Sequence, residues 1–378
     1  MATELQGAVV THVGMEDVCA KELEQLLSVT TTLGKGVVFF NLPPSRINAL
    51  ADACYLLRSA VRVLLVMGTK NASDIILGAQ ALAKTVDVLG INERTSFAVR
   101  CSIPDIGQEI AVEVGGIIND RTNAPVNLRD PMFSVVVLES DGTIVMGIDL
   151  GGEELGKRDY RIFLGNESLR GTIAYGLLMT AGFDGTQNVA DVYCRSGIIA
   201  IEAALLAGGI SPRRHMRDFP FRKLSFFADT DWNVHFDAID TTLQREPKGT
   251  IVCMDDGFAA VAAAKKNAKI AGVNQLLLFS RTDMEFLDAK FGKAGLDMIV
   301  TMPPQQSARI NGAALDKALQ QLFYQAEFIL KKKGKLALIT RGNVEKLKSL
   351  ADQYKFMLVK EQNVWQGGLE LSVLVFVK

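Results

Sequence analysis

The stretches VADVYCRSGIIAIEAAL, residues 189–205, and LDMIVTMPPQQ, residues 296–306, hold the residue types best suited to chemistry. In the first, an apolar run reaches Asp191, a short loop carries Cys194, Ser196 and Gly197, and an Ala/Ile/Leu helix follows. Small loop residues let backbone amides approach a ligand, and Arg195 sets a long cation among them. Asp255 closes the apolar run IVCMD, and an acid at a strand end can bond both hydroxyls of a ribose. Asp283 follows the next apolar run, QLLLFSRT. In the second stretch Pro303 and Pro304 stand between Met302 and Gln305. The Met302 thioether accepts hydrogen bonds only weakly.

These residues need strands that end together. Residues 163–378 alternate strand and helix in an α/β rhythm, with strands at NVADVYC, GTIVCMD, QLLLFSR, LDMIVTM, KGKLALIT, FMLVKEQNVWQ and LELSVLVFVK. Residues 1–70 read as a small ferredoxin-like α+β unit. Met15, Cys19, Leu23 and Leu26 form one helical stripe there, and Ser45 stands where a second helix would take its N-cap. In residues 71–162, TSFAVRCSI alternates as a half-buried strand should, and GQEIAVEVGGIINDRT reads as a helix presenting Gly115 and Gly116. Asp141-Gly142 inside FSVVVLESDGTIVMGIDL is a hairpin signal.

A chain of 378 residues suggests two or three domains. Its formal net charge of −1 advertises no global field for nucleic acid, so RNA contacts would come from local basic patches. The five cysteines are scattered, which argues against structural zinc and a disulfide framework. The opening residues lack a signal-peptide pattern, and no apolar run reaches membrane-spanning length; the expectation is a cytoplasmic protein.

The segment from TSFAVRCSI through VNLRDP and the closing KRDYR resembles a THUMP domain, an RNA-binding module of tRNA-modifying enzymes. The preceding unit looks like the ferredoxin-like domain that accompanies it. The remainder resembles a Rossmann-fold class I methyltransferase domain, including RDFPFRKLSFFADTDW at 217–232. Taken together, the chain resembles the THUMP-containing guanine-N2 RNA methyltransferases, position-6 branch. The implied domains are ferredoxin-like 1–70, THUMP 71–162 and methyltransferase-like 163–378.

The resemblance implies S-adenosylmethionine (SAM) as cofactor, bound where the strands end at a topological switch point. The family loop reads roughly D-P-x-C-G-S-G-T; Asp191, Cys194, Ser196 and Gly197 match it, and Arg195 replaces its first glycine. Asp255 takes the ribose-binding place, while a second family acid falls at Gly257. Asp283 takes the adenine-reading place, with Met284 beside the ring. The catalytic motif N/D-P-P-Y/F keeps Pro303 and Pro304, but Met302 and Gln305 replace the amine acceptor and the base-stacking aromatic.

Lys157, Arg158 and Arg161, and the run Arg213, Arg214, Arg217, Arg222 and Lys223 with Phe219 and Phe221 interleaved, could track phosphates. Lys331, Lys332 and Lys333 read as a solvated face. Three readings stay open. One is a tRNA-binding pseudoenzyme or partner subunit with an eroded SAM site. The others are an active tRNA guanine-N2 methyltransferase with a divergent site, and a structural dimerisation module that binds no RNA.

Overall fold

The computed structural model describes residues 4–71, 73–152, 154–165, 169–305 and 312–378. The chain divides into two compact units: Met1–Gly156 with Arg214–Ala238, and Lys157–Arg213 with Ile239–Lys378.

The first unit runs β1 (Leu5–Val10), α1 (Glu16–Leu27), β2 (Thr31–Gly34), β3 (Val37–Leu42), α2 (Asn48–Leu56), β4 (Arg62–Asn71), α3 (Ile75–Thr85), β5 (Phe97–Cys101), α4 (Gly107–Thr122), β6 (Phe133–Ser140) and β7 (Thr143–Asp149). Its strands make one sheet in the order β2-β3-β1-β4-β7-β6-β5. The strands expected at 61–69 and 133–150 therefore meet directly, through β4 against β7. The hairpin forms at Asp141-Gly142, both with positive φ (50° and 80°), as a two-residue turn between right-twisted strands requires. Helix α3 is capped by Asp74, whose carboxylate accepts the Leu77 amide at 3.0 Å. The α2 expectation needs correction: a 3₁₀ turn at Pro44–Arg46 precedes the helix, so Ser45 caps nothing. Helix α1 buries Cys19, Leu23 and Leu27. Helix α4 buries Ile110, Val114, Gly115 and Ile118 and leaves Gly116 exposed.

The second unit runs α5 (Gly171–Ala181), β8 (Val189–Asp191), α6 (Ile198–Ala207), the end of α7 (Trp232–Leu243), β9 (Ile251–Asp255), α8 (Phe258–Ile270), β10 (Leu278–Arg281), α9 (Leu287–Phe291), β11 (Leu296–Thr301), α10 (Gly312–Ile329), β12 (Leu330–Thr340), α11 (Val344–Gln353), β13 (Met357–Gln366) and β14 (Leu369–Val377). The sheet order is β10-β9-β8-β11-β12-β14-β13. Strands β10 through β12 are parallel, and β14 and β13 are antiparallel additions. This is a Rossmann-like α/β sheet. The chain moves outward from β8 to β10 and then returns to β11 on the other side, so the switch point lies between β8 and β11. Its core joins Ala190, Met254, Ile299, Leu338 and Phe376 to α10 through Leu319 and Phe323.

Residues 214–238 pack within the first unit. Phe219, Phe221, Phe227, Trp232 and Phe236 form an aromatic cluster, with Phe236 stacked on Tyr55 of α2 at 4.2 Å. His235 Nε2 bonds Asp52 Oδ1 at 2.7 Å.

Candidate cofactor and catalytic site

The site is built at the switch point, from the carboxyl ends of β8, β9 and β11. Asp191 ends β8 and is 3% exposed. The Thr301 hydroxyl, at the end of β11, donates to Asp191 Oδ1 at 2.6 Å and accepts the Tyr193 amide at 3.1 Å. Burial raises the Asp191 carboxyl to about 7; the Thr301 bond and nearby Arg195 oppose that rise, and Asp255 adds to it.

The loop after Asp191 is fixed at several points. The Cys194 amide donates to Met254 O at 2.9 Å. Gly197 has φ +82°, and a Cβ there would lie 2.8 Å from Ala264 Cβ, so glycine is required on two counts. Asn267, buried on α8, donates to Ser196 O and Phe163 O, both at 2.9 Å, and accepts the Phe163 amide. The Cys194 thiol is held protonated by its bond to Cys253 and by burial.

Arg195 takes φ +48°, the left-handed region that a glycine would occupy without strain. Its amide donates to Asp255 Oδ2 at 3.0 Å, and its Nη2 donates to Pro303 O at 3.1 Å. Gln305 donates Nε2 to the same carbonyl at 2.6 Å. The Gln305 Oε1 accepts the Arg341 amide at 2.8 Å and the Thr340 hydroxyl at 3.2 Å. Both acceptor positions of the Pro303 carbonyl are therefore filled from within the chain. Met302 is buried beside the loop and Pro304 is half-buried. Residues 306–311 lie outside the described residues.

The space left between Asp191, Arg195, Ile199 and Met302 is about 20 Å³, room for about one water. That cavity is smaller than the methionyl half of SAM, and the Arg195 side chain is part of its wall. On the side where the resemblance places the adenosyl half, Asp255 is buried. Asp255 accepts the Gly257 amide at 3.0 Å through its second oxygen. Asp283 is exposed, with Oδ1 accepting the Glu285 amide at 3.3 Å. Met284 is a correction: it is buried in the core with Val252 and Leu287 rather than presented to a ligand. Phe258, 75% exposed at the start of α8, is an aromatic near Asp255 in sequence that the motifs did not single out.

The basic residues separate by burial. Arg158 is a correction: it is 4% exposed and bonds Glu202 through Nε at 2.7 Å and Nη2 at 3.3 Å. Tyr160 donates to the same carboxylate at 2.7 Å. This network ties the chain after Lys157 to α6. Arg213 is buried as well, and Phe219 and Phe221 belong to the aromatic cluster, so none of the three can meet RNA. Arg217 pairs with Asp237 at 3.0 Å and lies 5.4 Å from the Tyr55 ring centre. Arg222 donates to Arg217 O at 2.7 Å. Lys157 is exposed, and Arg161 and Arg214 are half-buried. Burial lowers the Arg161 guanidinium from its usual range. Lys331 pairs with Asp297 at 2.8 Å.

Thr301, Tyr193 and the Thr340–Arg341 corner carry no motif signal in the sequence. Each is a common residue type whose role depends on a partner at least 35 positions away.

Residues 158–372 match the family described as UPF0020, RMKL-like methyltransferase domain. The chain is 25% identical over 379 residues to the tRNA (guanine(6)-N2)-methyltransferase of Archaeoglobus fulgidus, covering 96% of this chain and 90% of that protein. It is 26% identical over 315 residues to the ribosomal RNA large subunit methyltransferase K/L of Vibrio campbellii, covering 78% of this chain and 43% of that longer protein. Among solved structures, a possible methylase from Clostridium difficile 630 superposes with a TM-score of 0.81 at 20% identity, covering 99% of this chain and 98% of its own. SMU.472, a methyltransferase complexed with SAH, gives 0.81 at 19% identity, covering 100% and 98%. These structures share the fold. Among the described residues, no helix is long and apolar enough to cross a membrane.

Proposed function

The chain belongs to the RMKL-like methyltransferase domain family, and from that membership we propose that it is a tRNA-binding protein whose own methyl-transfer junction is closed. Membership brings S-adenosylmethionine as the cofactor by family resemblance. RNA as the ligand is supported by the transfer RNA and ribosomal RNA methyltransferases among its relatives. In this reading residues 1–70 are the ferredoxin-like domain, 71–162 the THUMP domain and 163–378 the methyltransferase-like domain. The protein works in the cytoplasm as a pseudoenzyme, a scaffold or partner of an active subunit. The observation that carries the closed junction is the Pro303 carbonyl, held at once by Arg195 and Gln305.

The test is a SAM titration beside a tRNA-binding assay on one preparation, with transfer of labelled methyl to tRNA followed in parallel. The expected result is tRNA binding, weakened by Lys157→Glu with Arg161→Glu, without SAM binding or methyl incorporation. Tight SAM binding with methyl transfer would sink the reading. It would favour an active guanine-N2 methyltransferase, which the placement of Asp191 and Asp255 at the ends of β8 and β9 supports. Absence of tRNA binding would leave a structural module.

A further inference from the structure

We propose that Arg195 is an internal ligand of the methyl-transfer junction, and that its guanidinium is what shuts the cofactor cradle. This rests on the closed junction proposed above and names the residue responsible. The evidence is the double attachment of one residue. Its amide holds Asp255 Oδ2 at 3.0 Å, at the end of β9. Its Nη2 crosses to Pro303 O at 3.1 Å, beyond the end of β11. Arg195 thus spans the switch point that a cofactor would enter, from the strand expected to hold a ribose to the carbonyl expected to accept an amine. A guanidinium N–H is a donor with fixed geometry, and it meets the carbonyl as a substrate N–H would.

The backbone fits this view. Arg195 stands at φ +48°, where a side chain is strained, so the closed loop keeps a conformation suited to glycine. Gly197, two residues on, retains its glycine and its tight packing on Ala264. The loop keeps this turn, and the cavity that the arginine side chain lines with Asp191 and Met302 is about 20 Å³. Gln305 holds the same carbonyl from the other side and fastens it to the Arg341 amide, outside the space that the guanidinium fills.

The test is binding of SAH, by calorimetry and by thermal shift, to the full chain and to three variants. Wild type is expected to show no saturable binding. Arg195→Gly, which suits the observed φ, is expected to bind at least about tenfold more tightly, with a ligand-dependent rise in Tm. Arg195→Ala provides a second route should the glycine loosen the loop. Gln305→Ala leaves the guanidinium in place and is expected to gain nothing. The proposal is overturned if wild type binds SAH as tightly as Arg195→Gly. It also falls if both folded Arg195 variants gain no affinity, or if Gln305→Ala alone opens the site. These outcomes are independent of RNA: wild type that binds neither SAH nor tRNA fails the function above yet leaves Arg195 as the lock. Wild type that binds tRNA, beside Arg195 variants that gain nothing, does the reverse.

Discussion

Arg158 and Arg195 are two arginines in one unit, and each reaches a partner far along the chain. Arg158 meets a carboxylate in a fork with two bonds to Glu202, fully buried, with Tyr160 adding a third bond. Arg195 reaches a neutral carbonyl through Nη2, half-buried, on a strained backbone, with the Asp191 carboxyl nearby. The first is a closed account of charge, because the desolvated guanidinium has its counter-ion. The second lays its Nη2 on a carbonyl at the edge where this fold takes ligands. Ion pairing in the interior marks an arginine that holds the fold, and a cation spanning a switch point marks one that stands in for a ligand.

The contrast can be broken most forcefully at Glu202. Glu202→Ala strands the buried Arg158 charge and should cost about 3–5 kcal/mol, enough to unfold the second unit or lower its melting temperature sharply. Near-wild-type melting would mean that Arg158 escapes to solvent and the contrast fails. Asp191 comes next. Its carboxyl is raised to about 7, above the unfolded value near 4, so its contribution to stability is greatest below about pH 4 and is lost as pH rises toward 7. Asp191→Asn should flatten the fall in stability between about pH 4 and 7, by an amount on the order of a few kcal/mol at pH 7. Unchanged pH dependence in denaturant titrations would show that Asp191 is ionised in its site. Gln305→Ala removes the carboxamide from three bonds and should cost about 1–3 kcal/mol by the same titrations. The smallest effect is expected at Arg195. Arg195→Gly relieves the left-handed strain while losing the bond to Pro303 O, so stability should stay within about 1 kcal/mol of wild type. A loss comparable to that at Glu202 would make Arg195 a structural arginine after all.

Much of the second unit was legible beforehand. Its apolar runs and intervening helices foretold the α/β sheet, although β8 and β10 are shorter than the runs that announced them. The hairpin at Asp141-Gly142 was legible because a two-residue turn with positive φ has a strong local preference. The N-cap was misplaced at Ser45, where Pro44 opens a 3₁₀ turn, and the four-residue β2 gave no signal of its own. The basic clusters were the least legible. Arg158 and Arg161 look alike as text, yet Arg158 is buried in a fork on Glu202, 44 positions away, while Arg161 is half-buried. Phe219 and Phe221 were read with the arginines around them, but they fill the aromatic cluster of residues 214–238 in the first unit.

The sequence by itself determined the strand rhythm, the order of the acids and prolines along the second sheet, and which motif residues are present or replaced. These follow from local periodicity and residue type, which need no knowledge of distant partners. Only the tertiary structure decided where the replacements point. The Arg195 guanidinium could have turned to solvent or toward an anion; it lies on Pro303 O because the parallel order β9-β8-β11 brings residues 195, 255 and 303 to one edge. A side chain's target is set by which strand ends the fold places side by side, and that adjacency is a long-range property of the chain.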